Sequence, residues 1–142
     1  MKKIMFPIVF VFLIFASCNS KMAVADTALL DGTWQLNYIT GPKIAFAALY
    51  PDKKPTIIFD TKNNKIVGNN SCNQYFGTLL LDGRKINFMN AKLGMTMMAC
   101  DGSGDDLYME TLQKIESYTI TDEGKTLSFL LGDIVMMRFS RQ

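Results

Sequence analysis

Apolar and polar positions alternate in short runs along most of this chain, and the runs are separated by legible turns. Residues 33–39 place Trp34, Leu36 and Tyr38 on one side, which predicts a half-buried strand. Residues 56–59, 65–68, 75–81, 85–88, 118–120, 127–131 and 135–139 follow as further short runs rich in β-branched and aromatic residues. In Leu81-Asp82-Gly83-Arg84, Asp-Gly sits between two such runs and predicts a type I′ hairpin. In Leu131-Gly132-Asp133-Ile134, Gly-Asp predicts a type II′ hairpin. Looser polar turns are expected at residues 60–65 and 121–125. One segment has the helical period instead: across residues 105–116, Tyr108, Leu112 and Ile115 share a face and Glu110 and Lys114 form an i,i+4 pair. Ser103, Asp105 and Asp106 offer capping oxygens and negative charge at its start. Residues 44–49, bracketed by Pro42 and Pro51, fit either a helical turn or a loop. The fold class is therefore α+β and mainly antiparallel β, a meander sheet or partly closed barrel with one covering helix.

The first 18 residues have a different character. Met-Lys-Lys precedes an apolar run of about 13 residues from Ile4 to Ala16, then Ser17 and Cys18. That run is shorter than the roughly 20 residues a membrane-spanning helix needs, and it reads as a signal peptide over residues 1–17. A cysteine directly after Ala-Ser resembles the lipobox of bacterial lipoproteins, in which the thiol accepts a diacylglycerol and becomes the new N-terminus. Cys18 is thus the expected lipid attachment. Each buried methylene adds about 0.8 kcal/mol, so two or three acyl chains would anchor the protein stably. Residues 18–28 are then the lipidated cysteine and a polar tether, whose ten residues after Cys18 reach at most about 35 Å. Asn19 stands where an Asp favours inner-membrane retention in such lipoproteins, so the resemblance implies the outer membrane, facing the periplasm. Residues 29–142 form a single domain.

Composition removes several functions. Of 15 Lys+Arg, Lys2 and Lys3 precede Cys18, leaving 13 against 13 Asp+Glu in the remainder. A neutral chain lacks the electrostatic footprint of a nucleic-acid binder. With no histidine there is no Ser-His-Asp triad, Cys-His dyad or imidazole-bound metal. Three cysteines cannot build a four-thiolate site. No metal and no cofactor are expected. A hydrolase would have to work with carboxylates alone, from Asp101, Asp105, Asp106 or Glu110. Asp101, Ser103 and Asp105 imitate the first three ligands of an EF-hand loop. Asp106 falls where that loop needs Gly and Leu112 where it needs Glu, so these oxygens read as helix caps.

Three stretches stand out: Gly32-Thr33-Trp34, the run Gly68-Asn69-Asn70-Ser71-Cys72-Asn73-Gln74-Tyr75-Phe76-Gly77, and Met95-Thr96-Met97-Met98-Ala99-Cys100. In order and spacing they resemble the META domain family of HslJ-like bacterial envelope proteins, over roughly residues 29–142. The motif positions are Gly32, Trp34, Gly68, Asn73, Tyr75, Gly77, Thr96, Met98 and Ala99, together with Cys72 and Cys100. The family commonly has a Glu soon after the second Cys, where this chain has Asp101-Gly-Ser-Gly-Asp-Asp106. The resemblance implies a compact meander-plus-helix fold in an envelope or secreted protein, a loose connection with envelope stress, and no established enzymatic activity.

With Cys18 given to lipid, Cys72 and Cys100 remain as an even pair in an oxidising compartment, which favours a disulfide. Closing a loop of about 29 residues would stabilise the domain by roughly 3–4 kcal/mol. Two buried free thiols or a redox pair are the alternatives. Asn69, Asn70, Asn73 and Gln74 fit tight turns, or else a polar recognition surface. Met95 and Met97 share a side of an extended segment; Met89, Met98, Met136 and Met137 are further core or interface fillers, with Cu(I) binding the rival role for the group. The expected work is non-catalytic binding or support of an envelope component, with the membrane reached through the N-terminal lipid. A small apolar-ligand carrier is the alternative. An internal cavity of several hundred Å³ would favour the carrier, and a filled interior with an exposed apolar patch would favour protein binding.

Overall fold

The computed structural model describes residues 27–102 and 104–142. The expected signal peptide, Cys18, most of the expected tether and the expected cap at Ser103 lie outside them. After a helical turn at residues 27–30, the elements in chain order are β1 (Gly32–Ile39), α1 (Phe46–Leu49), β2 (Thr56–Asp60), β3 (Lys65–Asn69), β4 (Gln74–Thr78), β5 (Leu81–Asp82), β6 (Lys85–Ile86), β7 (Gly94–Met95), α2 (Gly104–Gln113), β8 (Ser117–Thr121), β9 (Thr126–Leu131) and β10 (Ile134–Arg141). All ten strands join one sheet in the order β5-β6-β8-β9-β10-β1-β2-β3-β4-β7, and every pairing is antiparallel. Among the described residues no helix is long and apolar enough to cross a membrane.

The run expected as one strand over 75–81 is divided. Its first half pairs with β3, and Leu79 donates its N–H to the Asn64 carbonyl. Its second half pairs with β6, and the Leu80 carbonyl accepts from Asn87. Two residues therefore link strands near opposite ends of the sheet order, and the sheet curls without closing. The hairpin after β5 is also shifted by one residue from the expected type I′ turn. Asp82 pairs with Lys85, so the loop is Gly83-Arg84, with Gly83 at φ 59°. Gly takes that first loop position at no steric cost, and Asp82 ends the strand. At the later hairpin, Leu131 pairs with Ile134 and Gly132 takes φ 56°, as expected.

In β1 the alternation breaks. A bulge between Leu36 and Tyr38 turns Ile39 inward and leaves Tyr38 exposed, with its ring under Arg138. Residues 44–49 contain the four-residue helix α1.

Helix α2 adds Tyr108, Thr111 and Leu112 to the buried interior, with the Tyr108 ring against Tyr75 of β4. Trp34, Phe59, Tyr75, Tyr118, Phe129 and Phe139 fill the remaining interior, each at 0–1% exposure. Phe129 is the hub, with ring centroids 5.0 Å from Phe139, 5.4 Å from Phe88 and 6.3 Å from Phe59. Such edge-on and tilted pairs contribute beyond their buried area.

Candidate functional site

The residues of the second and third motifs meet at one corner, where the β3–β4 turn faces the segment after β7. The turn is built by asparagine side chains. Asn69 Oδ1 accepts from the Ser71 N–H, and Asn70 Oδ1 accepts from the N–H groups of Cys72 and Asn73. These bonds hold Ser71 at φ 94°, a conformation rare outside glycine. Asn70 also donates to Met95 Sδ at 3.5 Å.

Asn73 does something a turn does not require. Its side chain is 4% exposed and behaves like a rung of β-sheet. Oδ1 accepts from the Met98 N–H at 2.8 Å and from Thr96 Oγ1 at 2.9 Å, while Nδ2 donates to the Met98 carbonyl at 3.3 Å and to Cys100 Sγ at 3.1 Å. Gln74 extends the ladder, donating its N–H to Thr96 Oγ1 and accepting from the Thr96 N–H. The Cys72–Cys100 disulfide, with Cα atoms 6.0 Å apart, closes the corner. The 95–100 segment is thus fixed by its backbone, the Thr96 hydroxyl and Cys100, while Met97 and Met98 point outward, 90% and 60% exposed. Both were expected as core or interface fillers, and neither is in the core.

The remaining motif positions support the core. Gly68 allows the Tyr75 ring to cross β3, because a Cβ there would lie 2.3 Å from the ring and 2.5 Å from the Thr56 carbonyl. Tyr75 Oη thereby reaches Thr56 O at 3.2 Å and Tyr108 Oη at 2.7 Å. Burial, together with Tyr108 beside it, pushes the Tyr75 hydroxyl well above the usual tyrosine range. Gly77 admits Leu93 and the Ala91 carbonyl. Ala99 is exposed on the clamped segment. Gly32 and Trp34 do not belong to the corner. Gly32 takes φ 111°, and Trp34 donates Nε1 to the Leu30 carbonyl at 2.8 Å. Arg141 lies 4.2 Å over the Trp34 ring and donates to the carbonyls of Leu29, Asp31 and Gly124.

Two residues here carried no sequence signal toward this corner. Asp105 brings a carboxylate oxygen beside both disulfide sulfurs, all three ligand atoms within 4.8 Å of one another. Tyr108 meets Tyr75 across the core. Among the acidic candidates, Asp106 and Glu110 line an open groove with Lys43, Ile44 and Leu49, and Asp101 is exposed.

On the outer face of β2, β3 and β4, Ile58, Val67 and Phe76 stand in register as one lateral row, continued by Gly94 on β7. They are 40%, 46% and 59% exposed. Gly94 extends the row by lying under the Phe76 ring, whose nearest carbon is 2.8 Å from where a Cβ on Gly94 would be. The interior, by contrast, is packed with the buried aromatic and aliphatic side chains of the core. A surface groove of about 660 Å³ opens where the sheet fails to close, lined by Leu79, Leu80, Leu81, Ile86, Ile115 and polar neighbours including Asn64, Lys85 and Glu116.

The META domain family model matches residues 27–142. No curated protein matches the chain. An NMR structure of a protein from Burkholderia xenovorans is similar at TM-score 0.64 and 22% identity, covering 100% of this chain and 99% of that one. A second NMR structure is similar at TM-score 0.57 and 20% identity, covering 80% and 92%. The crystal structure of a DUF4847 family protein from Bacteroides vulgatus is similar at TM-score 0.52 and 17% identity, covering 80% and 94%. At these identities the likeness is one of fold.

Proposed function

The chain belongs to the META domain family, and on that footing we propose that it is a non-catalytic envelope lipoprotein, anchored through Cys18, whose outer sheet face binds another envelope protein. The observation that carries this reading is the pairing of a packed interior with an exposed apolar row at Ile58, Val67 and Phe76. Apolar side chains aligned across three strands are costly to leave in water and match the core of a modest protein interface. Lys65 and Lys92 border the row, where an interface is usually polar. The clamped Met97-Met98 segment adds adaptable apolar surface at the β7 edge. The second reading, a small apolar-ligand carrier, rests on the open groove at the sheet's seam.

A photoreactive residue placed singly at positions 58, 67 and 76 of the lipidated protein in intact cells tests the first reading. One adduct of the same mass at all three positions, absent from a probe at Glu123, is the expected result. Lipid-sized adducts, or none above the Glu123 control, would overturn it. A fluorescent fatty acid displaced by apolar competitors, and lost on Leu80→Asp, would instead establish the carrier.

A further inference from the structure

The three-atom cluster at the corner has the composition of a soft-metal site held closed by oxidation. Cys72 Sγ, Cys100 Sγ and an Asp105 carboxylate oxygen lie within 4.8 Å of one another, each residue half-buried. In a tetrahedral site with bonds of about 2.0–2.3 Å, neighbouring ligands sit roughly 3.3–3.8 Å apart. The carboxylate oxygen is at most about an ångström too far, and the sulfurs, bonded to each other in the oxidised protein, must part by about 2 Å on reduction; side-chain rotation can supply both movements. Asn73 Nδ2 donates to Cys100 Sγ at 3.1 Å and lies 3.7 Å from Cys72 Sγ. A donor in that place stabilises thiolates after reduction, as outer partners do around metal ligands. Because Asn73 is also held by Thr96 and Met98, the donor stays positioned when the S–S bond opens.

We propose that reduction of the Cys72–Cys100 disulfide converts this corner into a two-thiolate, one-carboxylate site for a thiophilic divalent cation such as Zn²⁺. A dithiol supplies two electrons and two protons to the disulfide and leaves as its own disulfide. The two protein thiols then release their protons to solvent as both sulfurs and one Asp105 oxygen bind the cation, with water completing the tetrahedron. The site is closed in the oxidised protein because neither sulfur is then a thiolate. The proposal stands independently of the sheet-face reading.

The test titrates Co²⁺, then competing Zn²⁺, into the domain reduced with a phosphine and kept free of oxygen. The reduced protein should take up one Co²⁺ with thiolate charge-transfer absorption and the visible bands of a tetrahedral ion, and the oxidised protein should show neither. Asp105→Asn should weaken binding at least about tenfold, whereas Asp106→Asn should leave it unchanged. Asp105→Cys, under the same reduction, should strengthen the charge-transfer band. Absence of that band in the reduced wild type would overturn the proposal. So would equal affinity in the Asp105→Asn variant, which is what two thiols in an unfolded chain would give.

Discussion

Asn73 pairs with Met98 through both ends of its amide, taking the N–H at 2.8 Å and giving to the carbonyl at 3.3 Å. A side chain thereby replaces a missing strand, and it is buried, so losing it leaves backbone groups without partners. Asn73→Ala should destabilise the domain by about 2–3 kcal/mol, from at least two unmade bonds at a buried place. Chemical denaturation checks the magnitude. Hydrogen exchange at the Met98 amide should quicken more than exchange in β9. An unchanged Met98 amide would mean that the disulfide alone fixes the segment.

The disulfide closes a loop across 28 positions. Reducing it, or replacing both cysteines with serine, should cost roughly 3–4 kcal/mol on the chain-entropy account. Thermal unfolding with and without reductant reads this directly. A loss well below 1 kcal/mol would show that the asparagine ladder carries the corner.

Gly68→Ala inserts a methyl where the Tyr75 ring and Thr56 carbonyl already stand 2.3 and 2.5 Å away. Overpacking of that kind costs about 1–3 kcal/mol, and here the neighbour includes rigid backbone. Gly102→Ala is the control for lost glycine flexibility, since it has open space but φ 111°. If steric conflict is the cause, Gly68→Ala should be partly relieved by Tyr75→Phe and the control should not.

The paired hydroxyls of Tyr75 and Tyr108 set an alkaline limit. Desolvation by burial is the leading cause that raises both above the ordinary value of 10.0. The folded protein keeps both protons where the unfolded chain releases them, so their contribution is complete below about pH 10 and is lost as pH rises further. Tyrosinate absorbance should therefore appear in step with unfolding. Replacing both residues with Phe should reduce that coupling to the share left by Tyr50, whose hydroxyl burial also raises.

The proposed lipidation at Cys18 predicts an intact mass raised by two or three acyl chains on a chain beginning at that cysteine. Cys18→Ser should release the protein from membranes. A mature chain of unmodified mass would remove the anchor from the proposed function.

Helix, turns and most strands were legible because their periods are local. Tyr108 and Leu112 repeat at helical spacing, and glycine marks both tight hairpins. What escaped was set by distant partners. The bulge at residue 37 arises from the register of β1 against β10, which no window around Tyr38 contains. The two-residue β7 exists because Tyr75 and Phe76 offer it an edge. At the corner the motif located Cys72, Asn73 and Cys100, but Asp105 sat in a string of acidic residues that looked like helix caps. Only the approach of α2 to the β3–β4 turn separates it from Asp101 and Asp106.

The centre of the sheet is made by β1 and β10, with Trp34 opposite Arg141. The domain's earliest strand thus waits for its latest. Pairings of such long sequence separation are slow to form, because the intervening chain must be ordered before they stabilise anything. A chain emerging from its first residue onward has no means of assembling this middle early. Partial lengths can form the β2-β3-β4 meander, whose outer row is apolar, but not its neighbour on the far side of β1. Until β10 arrives, the half-assembled meander with its apolar outer row is the species most open to association with other chains.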